Sequence, residues 1–80
     1  MEYFVYILQS QRSGKYYCGQ TNNVSDRLRR HNNGESTYTR HGVPWELIWF
    51  QECETRSQVM KFEHKIKKRG IQRFLDDQSR

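Results

Sequence analysis

The chain has 80 residues, with 14 Lys plus Arg against 9 Asp plus Glu, and a formal charge of +5. A chain of this size buries only about 60% of the surface it exposes when unfolded, so a single domain over residues 1–80 is expected, with a small core built mainly from its 14% aromatic residues. The aromatic content excludes disorder, no apolar run approaches the roughly 20 residues of a membrane span, and Cys18 and Cys53 form neither a disulfide scaffold nor a CxxC metal pattern. With no secretory signal at Met1-Glu2-Tyr3, a cytoplasmic protein with reduced thiols is expected.

Residues 3–8 (Tyr-Phe-Val-Tyr-Ile-Leu) are β-branched and aromatic and predict a strand. Turn chemistry at residues 10–14 leads into a second short strand over 15–20, so the two form an antiparallel hairpin. Thr21, Asn22 and Asn23 are N-cap candidates for a helix over 24–32, and Gly34 stands where a C′ glycine belongs. A polar loop follows over 35–43, ended by Pro44. The apolar run in residues 45–51 predicts a third strand buried on both faces, as in a central or helix-covered position. Thr55 and Gln58 resemble a capping box for a helix over 56–69 that stops at Gly70, with Val59, Phe62 and Ile66 as its apolar stripe and Met60 alongside. A last short helix is expected over 71–76, with Phe74 and Leu75 turned inward. The order β-β-α-β-α-α predicts a small α/β (α+β) sheet of three strands.

The charge is uneven. Residues 56–73 carry Arg56, Lys61, Lys65, Lys67, Lys68, Arg69 and Arg73 against one acid, Glu63, and Arg27, Arg29 and Arg30 form a second basic group. A basic run alone is usually a solvated helix face, but two coinciding patches put a polyanion, above all a phosphate backbone, ahead of that reading.

Three sets of residues break the structural pattern. Glu63 shares the core-facing stripe of its helix, where a carboxylate is costly unless compensated. Its spacing allows an ion pair with Lys67 one turn on, or a hard-metal site of the Mg²⁺ type. Arg27 and His31 lie four apart on one helix face and are either phosphate and proton-transfer groups or, for His31, a buried hydrogen-bonded cap. Tyr6 and Tyr17 face each other across the hairpin, as core aromatics or as site phenols. Together they make a plausible phosphodiesterase set.

These residues carry a resemblance to the GIY-YIG nuclease family, specifically its small stand-alone URI-type domains. Val5-Tyr6-Ile7 and Tyr17-Cys18-Gly19 stand where the family has its two name-giving motifs. Residues 19–32, with Gly19, Thr21, Asn23, Arg27, Leu28, His31 and Asn32, resemble its G-x-T-x-N-L-x-x-R-L-x-x-H-N segment. Thr39-Arg40 and residues 44–47 resemble its loop and third strand, and residues 62–67 resemble the helix bearing its acidic residue. The likeness covers residues 3 to 75.

The resemblance implies a three-stranded antiparallel sheet flanked by helices and cutting of phosphodiester bonds with one divalent metal. Glu63 would hold Mg²⁺ or Mn²⁺, Tyr6 would activate or orient water with Tyr17 beside it, Arg27 would steady the charged phosphate, and His31 would assist proton transfer or hold the phosphate. The basic residues Arg29, Arg30, Lys61, Lys65, Lys67 and Lys68 are the expected nucleic-acid contacts. Nucleic acid is the expected partner, with DNA ahead of RNA and no membrane. No appended targeting domain is expected, so a partner protein or substrate shape would direct any cutting. Family cutters often carry an Asn downstream of the Glu; this chain has none after Asn33, and only Gln72 stands nearby. An endonuclease is therefore the leading expectation. A nucleic-acid-binding module without catalysis and a protein-interaction domain on the same fold are the alternatives.

Overall fold

Tyr3–Ser10 (β1), Tyr16–Thr21 (β2) and Trp45–Cys53 (β3) form an antiparallel sheet in the order β2-β1-β3. Val24–Asn32 (α1), Arg56–Arg69 (α2) and Ile71–Gln78 (α3) flank it, and a 3₁₀ turn at Arg40–Gly42 precedes β3. This computed structural model describes residues 2–79; Met1 and Arg80, the ends of the expected 1–80 domain, lie outside the described residues. The class, the antiparallel sheet and the order β-β-α-β-α-α are those expected.

Local chemistry sets the boundaries. In the hairpin, Gly14 takes φ +78°, and the buried Ser10 hydroxyl accepts the N–H groups of Arg12 and Ser13 while donating to Gly42 O at 2.6 Å. Asn23 caps α1 by accepting the Asp26 N–H at 3.0 Å. The helix ends in a Schellman motif: Gly34 N–H reaches His31 O and Glu35 N–H reaches Arg30 O. That stop leaves His31 in the last turn, buried against the sheet. Thr55 Oγ1 caps α2 through the Gln58 N–H, while the Gln58 side chain accepts from Glu54 N–H, one residue earlier than a strict capping box.

β1 is the central strand, and its alternation divides the core in two. Val5 and Ile7 face α2 and α3 with Cys18, Val59, Ile66 and Phe74. Tyr6 and Leu8 face α1 and the 3₁₀ turn with Trp45, Tyr17, Leu28 and Leu47.

Two expectations are corrected here. β3 is not buried on both faces: it is an edge strand, and most of its residues are half-buried or exposed. Its apolar run comes from a bulge: Ile7 pairs with Trp49 and Leu8 with Leu47, so one extra residue, Ile48, is inserted. Ile48 and Trp49 both pack on the α2 side, Leu47 packs on the other, and Phe50 is 54% exposed. Met60 is also outside the core, at 52% exposure, because Val59, Phe62 and Ile66 already fill the sheet-facing stripe of α2. No helix among the described residues is long and apolar enough to cross a membrane, and Cys18 and Cys53 are both free thiols.

Candidate active site

Tyr6 and Gly19 are directly paired across β1 and β2. The close approach of a glycine leaves room for the phenol to lie flat under the strand: a Cβ at Gly19 would stand 2.7 Å from Tyr6 Oη. The hydroxyl therefore points past β2 toward the end of α1, where it is hydrogen-bonded to His31 Nε2 at 3.0 Å. His31 Nδ1 is in turn bonded to Thr39 Oγ1 at 2.7 Å. Thr39 is fully buried and its backbone carbonyl accepts from the Trp45 indole at 2.7 Å, which anchors the far end of the chain of bonds. Tyr17 packs its ring 5.0 Å from that of His31 and 6.2 Å from that of Tyr6.

The electrostatics keep this pair neutral. Burial pushes the Tyr6 phenol well above its ordinary value, the neighbouring Tyr17 adds to the shift, and the Arg27 guanidinium opposes it by charge and by a hydrogen bond. Burial, and then the Arg27 charge, hold His31 below the usual imidazole range. Two neutral tautomers satisfy the bonds. Only the one with Nδ1–H donating to Thr39 leaves Nε2 free to accept the Tyr6 proton.

Glu63 lies near the edge of β2. Its side chain is 17% exposed, its Oε1 accepts from Gln20 Nε2 at 3.0 Å and its Oε2 accepts from Lys67 Nζ at 2.7 Å. The ion pair allowed by helix spacing is therefore formed. Glu63 is also close enough to raise the Cys18 thiol, which burial pushes up to about 12, so Cys18 is not a nucleophile at neutral pH. Among the described residues no three His, Cys, Asp or Glu side chains gather as a metal cluster. The oxygen donors at Glu63 are those of its one carboxylate, with the Gln20 amide presenting its nitrogen to it. That suits a hard cation that keeps most of its water, such as Mg²⁺ or Mn²⁺, rather than zinc.

Arg27 joins these parts. It lines a cleft of ≈ 340 Å³ with Tyr17, Arg30, His31, Glu35 and Ser36, and a second of ≈ 320 Å³ with Gln20, Thr21, Asn22 and Arg56. The other basic residues are placed differently. Arg29 and Arg30 both pair with Asp26, at 2.6 and 3.0 Å. Lys67 is held by Glu63, and the pair raises its ammonium pKa. At 3.6 residues per turn, Lys61, Lys65 and Lys68 stand about 140–160° around α2 from Glu63, on its solvent side. Tyr6, Tyr17, Arg27, His31 and Glu63 thus come together at the open edge of β2, whereas those three lysines do not join them. Thr39, Gln20 and Arg56 belong to this region without having been singled out. Thr39 and Gln20 sit among other polar loop and strand residues, and Arg56 was hidden in a general basic run.

Residues 2–72 match the GIY-YIG catalytic domain family. The chain belongs to the GIY-YIG family. Relatives include a UPF0213 protein of Bacillus licheniformis, 32% identical over 98% of this chain and 84% of that one. A UPF0213 protein of Haloquadratum walsbyi is 39% identical over 81% of this chain and 73% of its own. Among solved structures, the solution NMR structure of a UPF0213 protein from Bacillus halodurans superposes with a TM-score of 0.62 at 28% identity, covering 99% of this chain and 84% of that one. The GIY-YIG match includes every residue gathered at the β2 edge and places this chain in a nuclease family.

Proposed function

We infer that this GIY-YIG domain is a metal-dependent endonuclease that hydrolyses phosphodiester bonds of DNA with low intrinsic sequence specificity. The observation that carries the reading is the Tyr6–His31 hydrogen bond beside the Arg27 guanidinium. A buried phenol is a poor base alone, because burial disfavours the phenolate. Paired with a neutral imidazole it becomes a relay: Tyr6 Oη accepts a proton from the attacking water while passing its own to His31 Nε2. The tautomer that can receive it is the one whose Nδ1–H donates to Thr39 Oγ1. Tyr17 shields the pair, and Arg27 steadies the negative charge that builds on the phosphate.

Glu63, with the Gln20 side chain beside it, is the residue that would hold Mg²⁺ or Mn²⁺. When bound, the ion supplies positive charge that polarises the phosphate. Lys67 must yield Glu63 Oε2 or share it, so the resting ion pair keeps the carboxylate charged and compensated until then.

The occupation of Glu63 by Lys67, together with the lack of any Asn after Asn33, favours a second reading: a nucleic-acid-binding module without catalysis. In either case the partner is nucleic acid, DNA ahead of RNA, and a targeting protein or the shape of the substrate would choose the site of action. A plasmid nicking assay with Mg²⁺ and with Mn²⁺ separates the two. Nicking by wild type that is lost in both Glu63→Ala and Tyr6→Phe supports the nuclease. Steeply salt-dependent binding without nicking, surviving Glu63→Ala, supports the binding module.

A further inference from the structure

We propose that Arg56 grips the backbone phosphate next to the one that Arg27 steadies, so that the substrate strand crosses the open edge of β2 instead of following the lysine face of α2. This rests on the nuclease reading only in naming which phosphate is cut.

Arg56 is the first residue of α2, and Arg27 projects from α1; the two guanidiniums line one cleft, with the amides of Gln20 and Asn22 and the hydroxyl of Thr21. No carboxylate lines that cleft. Neither arginine has a carboxylate within ion-pair distance among the described residues, in contrast to Arg29, Arg30, Lys67 and Arg69. The first turn of α2 contains no acid, and a cation there opposes the helix macrodipole, so Arg56 does not help the helix form. Two planar guanidiniums with the Asn22 amide beside them suit the oxygens of neighbouring phosphodiesters, while the Thr21 hydroxyl donates to Asn23 O and the Gln20 amide to Glu63.

The neighbouring cleft gives the strand its direction. Arg27 is the wall shared by both clefts. On the far side the walls include the Glu35 carboxylate, and Arg30 shares Asp26 with Arg29, so that side attracts a second phosphate less than the acid-free Arg56 side does. On the near side, Gln20 lines the Arg56 cleft while donating to Glu63, which brings the gripped phosphate beside the acidic residue. Lys61, Lys65 and Lys68 face away from both clefts and act at most as a diffuse attractive field.

The test is binding of a fluorescein-labelled DNA duplex, followed by anisotropy in EDTA between about 50 and 200 mM salt. Arg56→Gln is expected to lower the slope of log K against log salt by about 0.9, the value of one lost duplex phosphate contact. In the nicking assay the same variant is expected to raise KM with kcat within a factor of about two, as for uniform binding. Arg56→Lys, which keeps charge but not the fork, should keep the slope and lose affinity. The combined Lys61→Gln, Lys65→Gln, Lys68→Gln variant should keep the wild-type slope. Circular dichroism and thermal melting check that each variant is folded. A wild-type slope in Arg56→Gln, a slope lost in the triple lysine variant, or no DNA binding by wild type overturns the proposal. If the slopes behave as expected but wild type never nicks, the nuclease reading fails and the strand path stands. If wild type nicks and Arg56→Gln keeps its slope, the path fails and the nuclease stands.

Discussion

Gly19 lies so close to Tyr6 that a single added methyl group would meet the phenol oxygen at 2.7 Å and its ring carbon at 2.9 Å. Gly19 has no positive φ, so its lack of a side chain serves this contact and not the backbone. The hydroxyl aimed at His31 exists because β2 offers no Cβ at that position.

Gly19→Ala should therefore act on the site through Tyr6. Overpacking of this kind costs about 1–3 kcal/mol. For a domain of this size each kcal/mol lowers Tm by about 4–8 °C, which a thermal melt reads directly. Nicking should fall further than stability does, because the displaced phenol loses its bond to His31. A variant that melts and nicks like wild type would show that Tyr6 has room the geometry does not offer.

Thr39→Val keeps the shape of the side chain and removes the partner of His31 Nδ1. In the receiving tautomer this leaves the buried Nδ1–H unpaired, which costs about 1–3 kcal/mol. Proton transfer through a positioned group contributes roughly 10²–10⁴-fold to a rate, and loss of the tautomer should remove at least about 10-fold of it. Thr39→Ser should restore both. Imidazole nitrogen shifts measured by NMR would report the tautomer independently of activity.

Stability should depend on pH through His31. Its pKa in the folded state is held down by burial and then by Arg27. Below the ordinary value of about 6.5 the unfolded chain binds a proton that the folded chain refuses. Stability from this group is thus present above about pH 6.5 and declines as the pH falls from there toward the lowered folded-state value. Urea unfolding across this range should show the decline in wild type and a flatter profile in His31→Gln. An unchanged slope in the variant would assign the acid sensitivity elsewhere.

Glu63→Gln separates charge from packing. The amide retains an oxygen for Gln20 Nε2 and loses the charge facing Lys67. Because Lys67 is half exposed, the lost pair is worth no more than about 1 kcal/mol. Stability should change little, while Mg²⁺- and Mn²⁺-dependent nicking disappears. Nicking that persists in the purified variant would place the metal away from Glu63.

What the sequence determines by itself is local. The period-2 run of β1, the Asn23 and Thr55 caps, and the glycines at 34 and 70 act over a few residues, and their elements appear where expected. The oddity of a carboxylate on the inward stripe of α2 was legible for the same reason, since helical spacing alone puts Glu63 with Val59 and Ile66. The spacing of Arg27 and His31 was legible too. Only the tertiary structure decides the rest. The bulge that makes β3 read as buried on both faces depends on its pairing with β1. The Tyr6–His31–Thr39 chain joins three separate elements, and nothing in a polar loop marks Thr39 as its anchor. A basic run along α2 looks uniform in sequence, yet helical geometry sends Lys61, Lys65 and Lys68 to solvent and leaves Arg56 beside Arg27. Charge and residue type are properties of the chain, whereas which charges share a cleft is set by the packing of α1 and α2 around the open edge of β2.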